Sequence, residues 1–283
     1  MNIKTGLLNR VLMLVVFSLL LAACQPPAPS VIPTPASDAS QATDDMASVV
    51  TLKIAVIPVL DTLPMYVAQK EGLFKAEGLD VEFIPVASGA ERDQLIASGQ
   101  ADGMLNEVLS TIFFNKEKPQ VQVVRYARAA TDESPLFRIL ASPASGFTKV
   151  EQLKGVEIGI SDGTIIAYLT DRLLEKSGLK ADEIKTVNVP KIPERMTLLN
   201  SGQLKAAVLP DPTSSLSIKQ GAVALVDDTI APELSFSTIT FRKQVIDEHP
   251  DAIRAFLRAV EEATQKINKD ESGTQWVPLL AEQ

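Results

Sequence analysis

Apolar positions along this chain are grouped in three ways. Val11 to Ala23 is a continuous run of 13 apolar or small residues, preceded by Lys4 and Arg10 and ending in Leu21-Ala22-Ala23-Cys24. Leu52 to Ile57 and Val156 to Ile160 are short apolar runs, the pattern of strands buried on both faces. Pro250 to about Ile267 is periodic instead. There Ile253, Phe256, Leu257, Val260 and Ile267 recur at helical spacing, and Pro250 suits a first helical turn.

The middle of the chain repeats. Glu91-Arg92-Asp93-Gln94-Leu95-Ile96-Ala97-Ser98-Gly99-Gln100 and Glu194-Arg195-Met196-Thr197-Leu198-Leu199-Asn200-Ser201-Gly202-Gln203 lie 103 residues apart and share six of ten positions in register. Each predicts a helix ended by glycine, followed by a strand over Asp102 to Leu105 or Ala206 to Leu209. Upstream, each initial strand leads into a helical pattern, Pro64 to Gly72 or Thr164 to Gly178. A second strand follows, Asp80 to Val86 or Ile184 to Val189. Each half therefore reads β-α-β-α-β. Leu136 to Ala141 and Phe236 to Phe241 are strand-like runs at the joints between halves. Phe113, Phe114 and Tyr168 are expected in the core. The fold class predicted is α/β, with two lobes joined by two hinge crossings and a cleft between them. The boundaries expected are 51–141 plus 236–283 for the first lobe and 142–235 for the second.

Composition separates these lobes from what precedes them. Gln25 to Val50 holds Pro26, Pro27, Pro29, Pro33 and Pro35 without apolar periodicity, the composition of a disordered tether. The first run is shorter than the ~20 apolar residues of a spanning helix, and its basic start and small-residue end fit a secretory signal over 1–23. Cys24 is the single cysteine. Placed directly after Leu21-Ala22-Ala23, it resembles the bacterial lipoprotein box, which implies lipidation of its thiol and a membrane-anchored, extracytoplasmic protein with 24–50 as lipidated residue and linker. An ordinary signal peptide or anchor helix is the competing reading. From Thr51 onward, 25 Lys and Arg face 32 Asp and Glu, with no basic cluster. No nucleic-acid partner is expected.

Ligands of open α/β sheets bind beyond the carboxyl ends of the strands, where helix N-termini offer free N–H groups. Strand ends therefore supply the candidates Asp61, Thr62, Pro64, Tyr66, Ser88, Gly89, Asn106 and Glu107 from the first lobe. The second lobe adds Asp162, Gly163, Thr164, Lys191 and Asp211. Ser88-Gly89 and Gly163-Thr164 offer backbone and hydroxyl contacts, or act only as helix caps. Tyr66 stacks on a planar ligand or packs its own helix. Asp61, Glu107, Asp162 and Asp211 are capping or exposed carboxylates, or together they disfavour a small anion and suit a nitrogen-rich ligand. Lys191 is the one cation expected near them. Arg92 and Arg195 read as structural. A bulky residue at Gly163 is expected to abolish binding.

The stretches Tyr66-Val67-Ala68-Gln69-Lys70-Glu71-Gly72-Leu73-Phe74-Lys75-Ala76-Glu77-Gly78-Leu79, Ser98 to Gly103, Leu153 to Ile160 and Leu209-Pro210-Asp211-Pro212 resemble the extracytoplasmic substrate-binding proteins of ABC importers. The group is that of nitrate, sulfonate, taurine and thiamine-pyrimidine binders (SsuA/THI5-like). The resemblance implies a type II periplasmic-binding-protein fold, a small-molecule ligand, ABC permease subunits as partners and a monomer. The family pattern continues past Trp276 to Leu280, so a fragment or a shortened variant is expected. A pyrimidine-like nitrogenous ligand is the first expectation. A sulfonate, taurine or nitrate is the second, and a ligand sensor is a third reading. Members of the wider superfamily that synthesise a pyrimidine use a histidine and a cysteine-rich motif. This chain has one histidine, His249, beside Pro250, and no such motif. No enzyme activity, cofactor or metal is expected.

Overall fold

The computed structural model describes residues 49–270, 272 and 274–282. The signal, Cys24 and the tether as far as residue 48 lie outside the described residues; Val50, expected at the end of the tether, already opens the first strand.

The chain begins with β1 (Val50–Val56), α1 (Leu63–Lys70), α2 (Leu73–Ala76), β2 (Leu79–Pro85), α3 (Gly89–Ala97), β3 (Gly103–Glu107), α4 (Val108–Phe114) and β4 (Val121–Ala129). It continues through β5 (Phe137–Ala141), β6 (Glu157–Ile160), α5 (Ile165–Lys176), β7 (Lys185–Asn188), α6 (Ile192–Asn200), β8 (Ala206–Pro210), α7 (Thr213–Lys219) and β9 (Val223–Asp227). It ends with β10 (Phe236–Arg242), α8 (Lys243–Glu248), α9 (Pro250–Asn268) and α10 (Pro278–Ala281).

These strands form two sheets of one design. The first runs β2-β1-β3-β10-β4 and the second β7-β6-β8-β5-β9. In each, the repeat-related strands are parallel, while β10 or β5 lies antiparallel between its neighbours. The halves exchange one strand. β5 follows the first sheet in sequence but pairs with β8 and β9, so the boundary expected at 141 moves back to the segment before Phe137. The reason is pairing: Phe137–Ala141 supplies the antiparallel strand that the second repeat does not encode, and β10 does the same for the first. β4 and β9 went unread in the sequence. Both are edge strands that carry bulges themselves, at Val124 and Ala127 in β4 and at Leu225 in β9, which breaks the alternation that marks a strand.

The repeated helices end as their glycines require. Gly99 and Gly202 have φ of +75° and +80°, the left-handed geometry that closes a helix cheaply only without a Cβ. α9 buries Ile253, Phe256, Val260 and the alanines between them against the first sheet. Phe256 stacks on Phe74 at 5.0 Å and meets Phe241 edge-on at 5.4 Å. Cores of this kind lose about 3–5 kcal/mol when such a ring is cut to alanine. A second cluster, around Ile158, Leu169, Leu173 and Val208, fills the other half. Phe114 is half-buried against the first half, but Phe113 and Tyr168 are exposed. Both lie on helix faces turned outward, which the short apolar runs around them concealed.

Two crossings join the halves, Ala130 to Leu136 and Asp228 to Ser235. They are tied to each other. Ala130 N–H donates to the Ser235 carbonyl at 2.9 Å. The buried Asp228 carboxylate accepts from the N–H groups of Leu136 (3.0 Å) and Phe137 (3.1 Å).

Candidate functional site

A cavity lies between the two sheets, at the carboxyl ends of their parallel strands. Ile57, Val59, Asp61, Gly89, Arg92, Leu105, Asn106, Glu107 and Arg128 line it from the first half. Ser161, Thr164, Ile165, Ile166, Ile192, Pro210 and Asp211 line it from the second, with Leu136, Phe137, Phe236 and Ser237 from the crossings and the strands they feed. It is a cleft partly open to solvent, with about 80 Å³ of interior space that a water-sized sphere can occupy. Much of the wall is apolar, the usual character of a small-molecule site.

The halves touch across this space. Ile192 N–H, at the free start of α6, donates to the Ala87 carbonyl at 3.0 Å, and Leu60 N–H reaches the Asp211 carbonyl at 3.4 Å. The ammonium of Lys191 lies 3.8 Å from Glu91 Oε1, and Glu91 also accepts from Ala87 N–H at 2.8 Å. A Cβ on Gly89 would sit 3.5 Å from Thr164 Cγ2.

Each carboxylate of the cavity wall is held by an arginine. Asp61 Oδ1 takes Arg128 Nη1 at 3.2 Å, and Arg128 continues to Ser134 Oγ and the Pro135 carbonyl in the first crossing. Glu107 takes both terminal nitrogens of Arg92, at 2.8 and 3.3 Å. Burial alone lowers the Arg92 pKa, but Glu107 and Asp93 more than reverse it, so its charge is secure. Asp211 Oδ1 accepts from Arg138 Nη1 at 2.6 Å and from the hydroxyls of Ser214 and Ser215. Burial pushes the Asp211 carboxyl up, yet these donors outweigh it and hold the group below the usual carboxylate range. Asn106 is locked by Thr238 and Thr240, whose hydroxyls donate to its Oδ1 at 2.8 and 2.6 Å.

Of the residues singled out in the sequence, the cavity brings together Asp61, Gly89, Asn106, Glu107, Thr164 and Asp211. Others lie elsewhere. Tyr66 is buried in the first core, edge-on to Phe83 at 5.4 Å, because its position on α1 faces the sheet. Thr62 is buried and spends its hydroxyl on the Ile57 carbonyl at 2.7 Å. Pro64 sits in the first turn of α1. Ser88 is a buried cap that accepts from Glu91 N–H at 3.2 Å. Asp162 and Gly163 are exposed on the turn before α5, and Lys191 is at the rim. Gly163 has φ +69° with open space around the place of a Cβ, so a bulky residue there strains the turn and does not fill the cavity.

The sequence reading missed Arg92 as a wall residue, together with Arg128, Phe137 and Phe236. The repeat made Arg92 look like a helix-packing residue, and Arg128 lies on the unread β4. The nitrogen-rich ligand rested on four free carboxylates; three of them are neutralised and the fourth, Asp162, is outside the cavity.

A family model described as NMT1/THI5 like matches residues 60–272. The chain belongs to the NMT1/THI5-like family. A curated relative of this NMT1/THI5-like chain is a 4-amino-5-hydroxymethyl-2-methylpyrimidine phosphate synthase of Saccharomyces cerevisiae, 25% identical over 227 residues, covering 74% of the chain and 64% of the synthase. The chain thus spans just under two thirds of that relative. Among solved structures, the alkanesulfonate-binding protein SsuA of Xanthomonas axonopodis pv. citri, bound to MOPS, superposes with a TM-score of 0.69 at 18% identity, over 82% of this chain and 78% of that one. The periplasmic nitrate-binding protein NrtA of Synechocystis PCC 6803 gives 0.67 at 19% identity, over 83% and 66%. The NMT1/THI5-like chain has the α/β fold of these periplasmic binding proteins.

Proposed function

We propose that this protein is an extracytoplasmic receptor that captures a small solute between its two lobes and delivers it to the permease of an ABC importer. The observation that carries the reading is the partly open, largely apolar cavity whose wall is shared by both sheets. A solute that touches both walls is bound fully only when the lobes meet. Its binding energy therefore biases the hinge toward closure. The tied crossings of Ala130–Ser235 and Asp228 are the natural pivot, since little else is continuous between the sheets. The lobe assignment follows the sheets: β1 to β4 with β10 and α8 to α10, against β5 to β9. The likeness to periplasmic binding proteins supports the extracytoplasmic location, and the sequence signal ending at Cys24 supports a lipid anchor.

Catalysis is the second reading, favoured by the yeast synthase at 25% identity. Against it stands the cavity wall itself, which includes no histidine or cysteine. His249, the single histidine, caps the start of α9 and is exposed.

A thermal-shift screen of the full chain tests the proposal. The panel holds pyrimidines, thiamine precursors, flavins, polyamines, amino acids, sulfonates, taurine and nitrate. A ligand that binds only the folded state raises the melting point with concentration. The receptor reading expects such a hit, recovered chemically unchanged. A hit converted to product establishes the enzyme instead.

A further inference from the structure

Three acids line the cavity, and an arginine holds each of them. Arg92 joins Glu107 to its own neighbour Asp93, and Arg138 joins Asp211 to Ser214 and Ser215. Those partners all lie within one half. Arg128 is different. Its Nη1 donates to Asp61 Oδ1 at 3.2 Å, while its Nη2 donates to Ser134 Oγ at 2.8 Å and to the Pro135 carbonyl at 3.1 Å. Ser134 and Pro135 belong to the first crossing. Among the described residues, only Arg128 bonds both a cavity carboxylate and a crossing.

The strand positions this fork. Arg128 lies near the end of β4, directly after the bulge at Ala127, and a bulge re-aims the side chains around it. Its own carbonyl accepts from Ser237 Oγ of β10 at 3.3 Å. The side chains of Arg128 and Asp61 are both largely buried, so their attraction is screened less than that of a surface pair. The planar guanidinium can face two partners at once, which the single ammonium of a lysine does not reproduce.

The bonds continue on either side. Thr131 and Ser134 close a turn in the first crossing, each N–H donating to the other's carbonyl, at 3.1 and 3.3 Å. Pro135 follows with a fixed φ, so it passes movement on rather than absorbing it. The next two N–H groups, of Leu136 and Phe137, are held by Asp228 of the second crossing. At the other end, Leu60, the neighbour of Asp61, gives its N–H to the Asp211 carbonyl of the second half at 3.4 Å. A continuous series of bonds therefore runs from the cavity wall through both crossings.

We propose that Arg128 is a positioning residue that couples the cavity wall at Asp61 to the hinge, so that a solute bound against Asp61 sets the geometry of both crossings. This rests on the receptor reading and supplies the link between the site and the pivot. Arg92 and Arg138 hold the other two acids without reaching a crossing, so the coupling belongs to Arg128.

Hydrogen–deuterium exchange of the full chain tests this without a ligand, because amide exchange reports local opening. Asp61→Ala leaves every residue of the crossings in place. It is nonetheless expected to speed exchange at Ser134, Leu136 and Phe137 ~10-fold or more, as is Arg128→Met. Exchange at Leu169 and Leu173, in the core of the second half, should stay within about twofold of the wild type. In the double variant, Asp61→Ala is expected to add less than about twofold to Arg128→Met, since both break one connection. If Asp61→Ala does not melt cooperatively, Asp61→Asn keeps the shape without the charge and carries the same expectation. Unchanged exchange at the three crossing amides in a folded Asp61 variant overturns the proposal. So do effects of the two single variants that simply multiply in the double. Either result leaves the receptor reading to the ligand screen, which does not depend on Arg128.

Discussion

Inside the first core, the hydroxyl of Tyr66 is buried and has no hydrogen-bond partner among the described residues. Burial raises its pKa to about 12. The neutral phenol is thus favoured by the fold. The associated stability is fully present below the unfolded value near 10 and is lost as pH rises from there through 12. Tyr66→Phe removes an unsatisfied polar atom and keeps the ring against Phe83. Its expected effect is a stability unchanged or raised by about 1 kcal/mol in denaturant melts at pH 7. Its alkaline loss of stability between pH 10 and 12 should also be smaller than that of the wild type. Ligand affinity should not change. A tenfold loss of affinity would return Tyr66 to the binding site. At this scale the sequence exposed types better than directions. Strand ends pointed to Asp61, Asn106, Glu107 and Asp211 because topology fixes where those ends lie. Whether a carboxylate there is free depends on arginines from distant strands, Arg128 on β4 and Arg138 on β5, and no local pattern carries that information.

Elements were legible where periodicity was strong. α9 extends from Pro250 as its apolar face predicts, and the duplicated α3 and α6 end at Gly99 and Gly202 because only glycine takes the closing φ cheaply. β4 and β9 were illegible because bulged pairing spoils the two-residue alternation. The exchange of β5 and β10 was half legible: the strands were visible and their sheet was not, since pairing partners are a long-range choice. The start of α6 also links the two halves. Ile192 N–H meets the Ala87 carbonyl, and Lys191 meets Glu91, both across the cavity mouth. The Lys191–Glu91 pair is exposed, so it contributes about 0–1 kcal/mol to closure. Lys191→Ala should therefore weaken ligand binding by at most ~5-fold, with the melting temperature of the ligand-free protein unchanged. A loss of two orders of magnitude would make Lys191 a direct ligand contact.

At the scale of the whole molecule, two copies of one βαβαβ design enclose a cavity and are joined only by two short crossings. In the proposed receptor, one fold supplies both the binding wall and the hinge. The α/β class, the duplication and the cleft were legible in the sequence because they follow from repeated local patterns. The charge balance of the cleft was not, because Asp61 and Asp211 are neutralised by Arg128 and Arg138 from strands far away in sequence. The central claim is that solute binds between the lobes. Titrating a solute that stabilises the wild type into Gly89→Trp tests it most directly. Gly89 faces Thr164 across the cavity, so an indole there occupies the cleft and props the lobes apart without disturbing either core. The account predicts that the ligand-induced rise in melting temperature disappears in Gly89→Trp while the ligand-free melt stays cooperative. A rise of the same size in that variant would place the site outside the cleft and contradict the account.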